Sequence, residues 1–241
     1  MSEGIRINKY LSEVGYCSRR AADKLIDANR VQINGNVPEL GTKVMPGDKI
    51  SVDGNLIEDS RDERIILAFN KPVGIVCTTD TRVEKNNIID YINYPTRVFP
   101  IGRLDKPSEG LIFLTNDGDI VNKILRARNG HEKEYIVDVK QPIRKDFVEK
   151  MSNGIPILDQ VTRKCQVEQM GRYRFRIVLT QGLNRQIRRM CEFLGYDVVR
   201  LKRVRIMNVQ LDVPVGKYRL LKPKELETMN QIIQDSKGTI D

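Results

Sequence analysis

Histidine, cysteine and tryptophan are scarce in this sequence, which has one His, four Cys and no Trp among its 241 residues. Cys17, Cys77, Cys165 and Cys191 are far apart and form no C-x-x-C pair, and His131 stands alone. Zinc sites are built from clustered Cys and His ligands, so this pattern predicts no metal site. Scattered cysteines are typical of reduced, packed thiols in a cytosolic protein.

Long apolar runs are lacking as well. The opening segment MSEGIRINKY has no apolar core of the kind that a signal peptide needs, and no window approaches the length of a membrane span. We therefore expect a cytoplasmic protein with no membrane partner, and a monomer as the default state. Hydrophobic residues make up 40% and charged residues 30% of the chain, a balance typical of folded globular proteins.

Acidic residues are outnumbered by basic ones. The 41 Lys and Arg against 32 Asp and Glu leave a formal charge of +9. A positive excess favours a polyanionic partner, because each neutralised phosphate releases counterions. Nucleic acid is the leading candidate, although many basic proteins bind none.

The N-terminal part of the chain shows first a helical and then a strand period. Apolar spacing predicts amphipathic helices over residues 7–14 and 18–29, the second capped by Ser18. Alternating residues at 31–33 and 50–52 then predict a small sheet. Two helices followed by a small sheet form a separate module.

This module resembles a known RNA-binding domain. The stretch INKYLSEVGYCSRRAAD at 7–23, followed by VQING at 31–35, is similar to the S4 domain over about residues 5–53. Arg19, Arg20 and Lys24 on the polar helix face are then candidate phosphate contacts, whereas charge alone favours an ordinary solvated face.

A polar, acid-rich segment at 54–64 reads as a linker, which predicts a domain boundary near Ser60. We accordingly predict an S4-like RNA-binding domain over residues 1–60, linker included. A second, larger domain would span 61–241.

The second domain mixes strands and helices irregularly. Apolar runs predict strands at 65–69, broken by the turn at 70–74, and at 111–114. Alternation at 135–139 and 173–179 predicts half-buried strands, for which antiparallel pairing is the natural arrangement. A helix is expected over 184–194. The predicted fold class is α+β, with a mixed and largely antiparallel sheet.

One segment, IGRLDKPSEGL at 101–111, places Asp105 just before a proline-containing break and a buried strand. Taken alone, this carboxylate either satisfies turn amides or does chemistry on a loop held by rigid strands. The pattern G-R-L-D-x-x-S-x-G-L over Gly102–Leu111 resembles the signature of pseudouridine synthases related to the RsuA and RluA enzymes. The stretches EKEY at 132–135 and QGLNRQIRRM at 181–190 resemble the same family in the same order.

The resemblance implies roles for particular residues. Asp105 corresponds to the catalytic aspartate, Tyr135 to the active-site tyrosine, and Arg188 to the basic residue that pairs with the aspartate. Leu201 corresponds to an apolar residue that lines the target base. Together with the S4 match, these positions indicate the RsuA branch.

Many members of the family have His at the position of Arg185. The arginine in its place makes this chain most similar to the RluF subgroup. The implied substrate is large-subunit (23S) ribosomal RNA, and a transfer RNA is a second candidate because local loop shape governs base flipping.

The implied reaction breaks the N1 glycosidic bond of uridine, turns the uracil and joins C5 to the same sugar, so no cofactor is expected. The carboxylate acts either as a nucleophile or as a base that removes a sugar proton, and the residues do not choose between these routes. A paired guanidinium would favour its charged form.

Basic residues are dense between 185 and 205, which predicts an RNA-facing track. Lys133 either contacts RNA or pairs with an acid. The full set of predicted substrate contacts is Arg103, Leu201, Arg19, Arg20, Lys24, Arg185, Arg189 and Arg203.

Three other functions compete with this interpretation. A noncatalytic S4-type RNA chaperone or ribosome-assembly factor explains the charge and the first module, but not the Gly102–Leu111 match. A DNA-binding regulator that uses residues 7–29 as a helix-turn-helix leaves most of the chain without a role. An RNA methyltransferase would need a Gly-rich cofactor loop, and none follows a predicted strand.

Overall fold

The computed structural model describes residues 4–58, 63–80, 83–125 and 130–234. The chain forms two compact units: one is Met1–Ile65 with Pro95–Arg97, and the other is Ile66–Tyr94 with Val98–Asp241. Ser60, where we predict the domain boundary, lies outside the described residues. The division into 1–60 and 61–241 therefore stays a prediction.

The first unit contains the two predicted helices and a small sheet. Its elements are β1 (Ile5–Arg6), α1 (Ile7–Glu13), α2 (Arg19–Asp27), β2 (Val31–Ile33), β3 (Lys43–Val44), β4 (Ile50–Val52) and β5 (Asn55–Leu56). The Ser18 hydroxyl accepts a hydrogen bond from the Ala21 amide at 3.2 Å, which caps α2 as predicted. Asn29, with φ +56°, turns the chain from α2 towards β2.

The small sheet joins β2, β4 and β5 in antiparallel order, and β1 pairs separately with β3. The apolar residues of α1 and α2 pack with those of the strands into one core. It contains Ile7, Tyr10, Leu11, Ala22, Ile26, Val31, Val44, Ile50 and Val52. The helix periods and the strand alternation thus predicted most of this core, whereas Val44 lies outside the predicted segments.

The second unit is larger and more irregular. Its strands are β6 (Ile66–Lys71), β7 (Phe99–Ile101), β8 (Glu109–Thr115), β9 (Lys133–Val139), β10 (Pro156–Ile157), β11 (Gln160–Val161), β12 (Gln166–Gly171), β13 (Arg174–Leu179), β14 (Val198–Ile206), β15 (Val209–Gln210) and β16 (Tyr218–Leu220). Its helices are α3 (Ile88–Ile92), α4 (Gly118–Leu125), α5 (Phe147–Ser152), α6 (Gln186–Phe193) and α7 (Pro223–Gln234).

A nine-stranded sheet organises this unit in the order β12-β13-β9-β14-β8-β6-β16, with β7 paired to β8 and β15 to β14. The pairing of β14 with β8 is parallel, and the other pairings of this sheet are antiparallel. The predicted α+β class, with a mixed and largely antiparallel sheet, is confirmed. The parallel pair matters most for function, because it brings the end of the Gly102–Leu111 motif against β14.

The predicted break at 70–74 begins too early, since β6 continues through Asn70 and Lys71. Both side chains are buried, yet both find partners there. The Asn70 amide donates to the Val213 carbonyl at 2.8 Å, and the Lys71 ammonium donates to the carbonyls of Pro72 at 2.8 Å and Ile75 at 2.9 Å. Polar residues therefore extend the strand instead of ending it.

The core between the sheet and helices α4 and α7 includes Ala68, Leu111, Phe113, Ile120 and Met229, all at most 2% exposed. Every residue of β8 is buried, and close packing on both of its faces fixes the strand that follows the motif. Within the described ranges, no helix combines the length and apolarity that crossing a bilayer requires.

Candidate active site

Asp105 lies half-buried in the loop between β7 and β8. The Ser108 amide donates to the Asp105 carbonyl at 2.9 Å and closes a tight turn. Gly102, with φ +78°, supplies the reversal that leads out of β7. The carboxylate is therefore presented by a turn between two paired strands.

A second segment, which includes Gly74 and Cys77, is hydrogen-bonded to this turn. The Cys77 thiol donates to the Leu104 carbonyl at 3.3 Å and accepts from the Leu104 amide at 3.4 Å. The Gly74 amide donates to the Lys106 carbonyl at 2.8 Å. Hydrogen bonds thus hold Leu104 and Lys106, the two chain neighbours of Asp105.

Lys71 supports that second segment. Its side chain is fully buried, and its two carbonyl bonds hold the turn that contains Gly74. Burial lowers the pKa of this lysine, while the negative charge of Asp105 is among the groups that raise it. Lys71 therefore holds the 72–75 turn, and the bond from Gly74 to Lys106 connects this turn to the Asp105 loop.

Tyr135 and Leu201 meet on one face of the sheet. In the antiparallel pairing of β9 with β14, Arg203 is opposite Tyr135 and Leu201 is opposite Val137. Tyr135 is 8% exposed and Leu201 is 6% exposed. An aromatic ring and an aliphatic side chain therefore form neighbouring walls of one site.

Arg203 was expected on a surface track facing RNA, and this expectation is wrong. The residue is only 4% exposed; its Nε donates to the Leu111 carbonyl at 2.6 Å, and its guanidinium carbon lies 5.9 Å from the centroid of the Tyr135 ring. Gly110 allows this, since a Cβ there would lie 2.7 Å from the Arg203 amide nitrogen. The missing side chain lets β8 approach β14 closely.

Arg188 reaches the Asp105 loop from helix α6. Its guanidinium donates to the Pro107 carbonyl at 3.1 Å, the Ser108 hydroxyl at 3.3 Å and the Val198 carbonyl at 3.4 Å. The ion pairs within 4.0 Å in the described part of the chain do not include Arg188 with Asp105, so the direct pair predicted from the motif is not formed. Burial lowers the pKa of Arg188. The negative charge of Asp105 acts on the guanidinium at longer range and partly offsets this shift.

These elements enclose a cavity of about 470 Å³. Pockets of this size accommodate small ligands, and a nucleobase is smaller. All three predicted catalytic residues line it: Asp105, Tyr135 and Arg188. Four of the predicted substrate contacts line it too: Arg103, Arg185, Leu201 and Arg203.

Arg103 and Arg185 are exposed, whereas Arg203 is buried. Arg185 precedes α6 with φ +51°, a left-handed conformation that is uncommon for a residue other than glycine. The cavity therefore has cations at its surface and one cation in its interior.

The remaining predicted contacts lie elsewhere. Arg189 is not among the lining residues and bonds to Asn184 of its own segment at 3.1 and 3.3 Å. Arg19, Arg20 and Lys24 are exposed on α2, in the other unit.

Two further arginines of the predicted track at 185–205 form ion pairs, so acidic residues of the protein balance part of its positive charge. Arg200 pairs with Glu109, and Arg205 pairs with Glu132 and Glu134.

Three further residues of the site had no predicted role there: Lys71, Cys77 and Ser108. Ser108 was marked by its place in the motif, while Lys71 and Cys77 carried no signal beyond their chain position. Lys133 was predicted either to contact RNA or to pair with an acid. Lys133 lines the cavity, and burial together with the charge of Arg203 lowers its pKa to about 8. Among the described residues, no cluster of three or more His, Cys, Asp or Glu side chains could hold a metal ion.

Comparison with known families finds two matches in chain order. Residues 5–50 match the S4 domain, and residues 65–193 match the RNA pseudouridylate synthase family. The chain is 54% identical to the dual-specificity RNA pseudouridine synthase RluF of Escherichia coli (strain K12), over 98% of this chain and 82% of the relative.

More distant relatives share the same description. The ribosomal large subunit pseudouridine synthase B of Bacillus subtilis (strain 168) is 32% identical, over 97% of this chain and 98% of the relative. A solved structure described as a crystal structure of pseudouridylate synthase is 28% identical, with a TM-score of 0.69 over 93% of this chain and 99% of that one.

Proposed function

The chain belongs to the RNA pseudouridine synthases of the RsuA type, which carry an S4 domain, and on this basis we propose that it isomerises one specific uridine in 23S ribosomal RNA and a second in a transfer RNA. Two RNA substrates are supported by a relative that is described as dual-specific. Ribosomal RNA of the large subunit is supported by a second relative named for it. Membership in a catalytic family overturns the rival interpretation as a noncatalytic assembly factor.

The observation that carries the proposal is the single cavity that unites Asp105, Tyr135, Arg188 and Leu201. Asp105 is the essential carboxylate. It either attacks C1′ of the ribose or removes the C2′ proton, and both routes release the uracil from C1′ before C5 is joined to that carbon. The half-buried position on a pinned turn suits a group that must meet a sugar rather than a base edge.

The target uridine has to leave its stack to reach this carboxylate, because the cavity lies inside the domain surface. The Tyr135 ring then stacks against the flipped uracil, and Leu201 forms the apolar wall beside it. Arg103 and Arg185, exposed among the lining residues, contact the phosphates on either side of the flipped nucleotide. The reaction needs no external reactant, since the product is an isomer of the substrate.

Binding and chemistry are divided between the two units. Arg19, Arg20 and Lys24 supply phosphate contacts on the S4 domain, and the larger domain supplies the cavity. We propose that a monomer acts in the cytoplasm, where ribosomal and transfer RNA are both present.

The proposal is tested by mapping pseudouridine in unmodified 23S rRNA, 16S rRNA and total tRNA after incubation with the protein and no added cofactor. One new site in 23S rRNA and one in a tRNA are expected. A new site in 23S rRNA alone would contradict dual specificity, and a new site in 16S rRNA alone would overturn the choice of substrate. Tight RNA binding without any new site would overturn the activity itself.

A further inference from the structure

Lys133 and Arg203 are two cations that line the cavity and have unused hydrogen-bonding capacity. Lys133 begins β9, two residues before Tyr135 and on the same face, and Arg203 lies opposite Tyr135 on β14. The Lys133 ammonium has no hydrogen bond or ion pair with any described residue, and Nη2 of Arg203 is buried without a partner. Both residues line the cavity.

The charge of this pair is not balanced by the protein. Asp105 is the single carboxylate among the described residues that line the cavity. Burial and the neighbouring Arg203 charge both act against the protonated form of Lys133, which has a pKa of about 8. Holding two such cations together costs free energy unless an anion binds between them. The arrangement therefore points to negative charge that a ligand brings or develops.

The isomerisation develops such a charge. When the C1′–N1 bond breaks, its electron pair stays with N1 and is delocalised over O2 and O4 of the uracil. The same anion forms whether Asp105 attacks C1′ or removes the C2′ proton. It persists until C5 bonds to C1′, in the step in which Asp105 leaves C1′ or returns the C2′ proton. The base is then neutral, and loss of the C5 proton with protonation of N1 gives pseudouridine.

We propose that Lys133, with Arg203 beside it, is a catalytic residue that stabilises the uracil anion while the base is detached from the ribose. This inference rests on the proposed isomerase activity and adds a residue to it. Electrostatic groups placed where charge develops lower the barrier without reorganising during the reaction. The bond to the Leu111 carbonyl holds Arg203 in place, and both cations line the cavity before the charge develops.

The burial of Arg203 indicates that its ligand is the base rather than a backbone phosphate. Arg203 is 4% exposed and contacts the Tyr135 ring, which is the wall assigned to the flipped uracil. Phosphates remain on the RNA backbone at the surface, where Arg103 and Arg185 are exposed. Arg203, with Lys133 on the same face of the sheet, is therefore close to the uracil, and the surface cations are close to the backbone.

The first experiment compares Lys133→Met and Lys133→Arg with the wild type in single-turnover reactions at saturating RNA. Loss of the charge is expected to slow conversion by about 10²-fold, with the Kd for RNA nearly unchanged, and Lys133→Arg is expected to recover most of the rate. Lys140→Met, which removes an exposed lysine just after β9, is the matched control and should react at the wild-type rate. Thermal unfolding checks that each variant is folded.

The pH dependence gives a second readout that does not depend on Lys133→Met folding. Because the protonated ammonium is the active form, kcat/KM of the wild type should fall as the pH rises above about 8. In Lys133→Arg this limb should move to higher pH, since a guanidinium keeps its proton there. An unmoved limb would contradict the role of Lys133.

A substrate whose uracil is a better leaving group distinguishes stabilisation of the uracil anion from contact with a phosphate. Fluorine at C5 withdraws electrons and stabilises the detached uracil anion, so RNA with 5-fluorouridine at the target should show a smaller Lys133→Met defect in cleavage of the original C1′–N1 bond. An equal defect with both RNAs, or weaker RNA binding with a normal rate at saturation, would overturn the proposal and leave Lys133 as a phosphate contact. A wild-type protein that forms no pseudouridine in any RNA would instead refute the proposed function.

Discussion

The guanidinium of Arg188 donates to the hydroxyl of Ser108 at 3.3 Å and to the neighbouring Pro107 carbonyl at 3.1 Å, within the turn that carries Asp105. This arginine therefore holds the loop and acts on the carboxylate only at longer range. The Asp105 carboxylate, which lines the cavity, is therefore left available to a ligand. Positioning of Asp105 is then a property of the turn, which Arg188 holds from one side and Cys77 from the other.

Arg188→Lys should lower kcat by about 10²-fold, a loss comparable with that for one oriented electrostatic donor. A lysine cannot reach the Pro107 and Ser108 acceptors with a planar fork. Ser108→Ala should have a smaller effect, about 10-fold or about 1.4 kcal/mol, because the Pro107 bond persists. Single-turnover rates at saturating RNA measure both.

Arg144→Lys is the control for this pair. Arg144 also donates to a backbone carbonyl, that of Leu194 at 3.3 Å, but is not among the residues that line the cavity. Its turnover should equal that of the wild type. A larger effect from Ser108→Ala than from Arg188→Lys would show that the arginine does not hold the turn.

Cys77→Ala should lower stability and turnover together. It leaves the buried amide and carbonyl of Leu104 with one partner fewer each, at a cost of about 1–3 kcal/mol, and it loosens the chain next to Asp105. Cys165→Ala removes a thiol that donates to the Met151 carbonyl at 3.5 Å, away from the cavity. Denaturant unfolding should register both substitutions. Equal turnover losses would mean that Cys77 acts only through overall stability.

Gly110→Ala should disrupt the parallel pairing of β8 with β14. Its φ is +107°, and the added Cβ would lie 2.7 Å from the Arg203 amide nitrogen. We expect a loss of about 3 kcal/mol or more in the free energy of unfolding, since the strand has to move away. Gly118→Ala, whose Cβ would meet nothing nearer than 4.0 Å, should be neutral or slightly stabilising. Comparable stability of the two variants would contradict the close approach.

Replacing Arg19, Arg20 and Lys24 together by Ala should weaken RNA binding while leaving the rate at saturation nearly unchanged. Each lost phosphate contact should reduce the slope of log K against log salt by about 1. The double variant Lys43→Ala, Lys49→Ala removes exposed charges from the same unit and should change the slope less per charge. Equal changes per charge would indicate a general field effect rather than contacts by α2.

Local pattern was sufficient for the first unit and for the location of the chemistry. The helix spacing, the Ser18 cap and the strand alternation each follow from the chemistry of neighbouring residues, so the fold of residues 5–53 could be read directly. Asp105 could be found because the short Gly102–Leu111 motif resembles a family signature, whereas the turn pattern alone left a structural role for this carboxylate open.

Arg203 and Lys133 could not be assigned in the same way. Arginine and lysine are usually exposed, and the burial of Arg203 depends on Gly110, which is far away in sequence and close only in the sheet. The geometry of Arg188 likewise depends on how α6 packs near the Asp105 loop. Such contacts are decided by tertiary packing, which local spacing does not encode.

The most direct test of the account is the single-turnover rate of Asp105→Asn on its mapped RNA target, measured together with the Kd for that RNA. The substitution keeps the shape and removes the charge of the carboxylate. We predict a Kd within about 3-fold of the wild type, a difference of less than 1.4 kcal/mol, and no detectable pseudouridine. Pseudouridine formed at a rate near that of the wild type would contradict the assignment of Asp105 as the essential carboxylate.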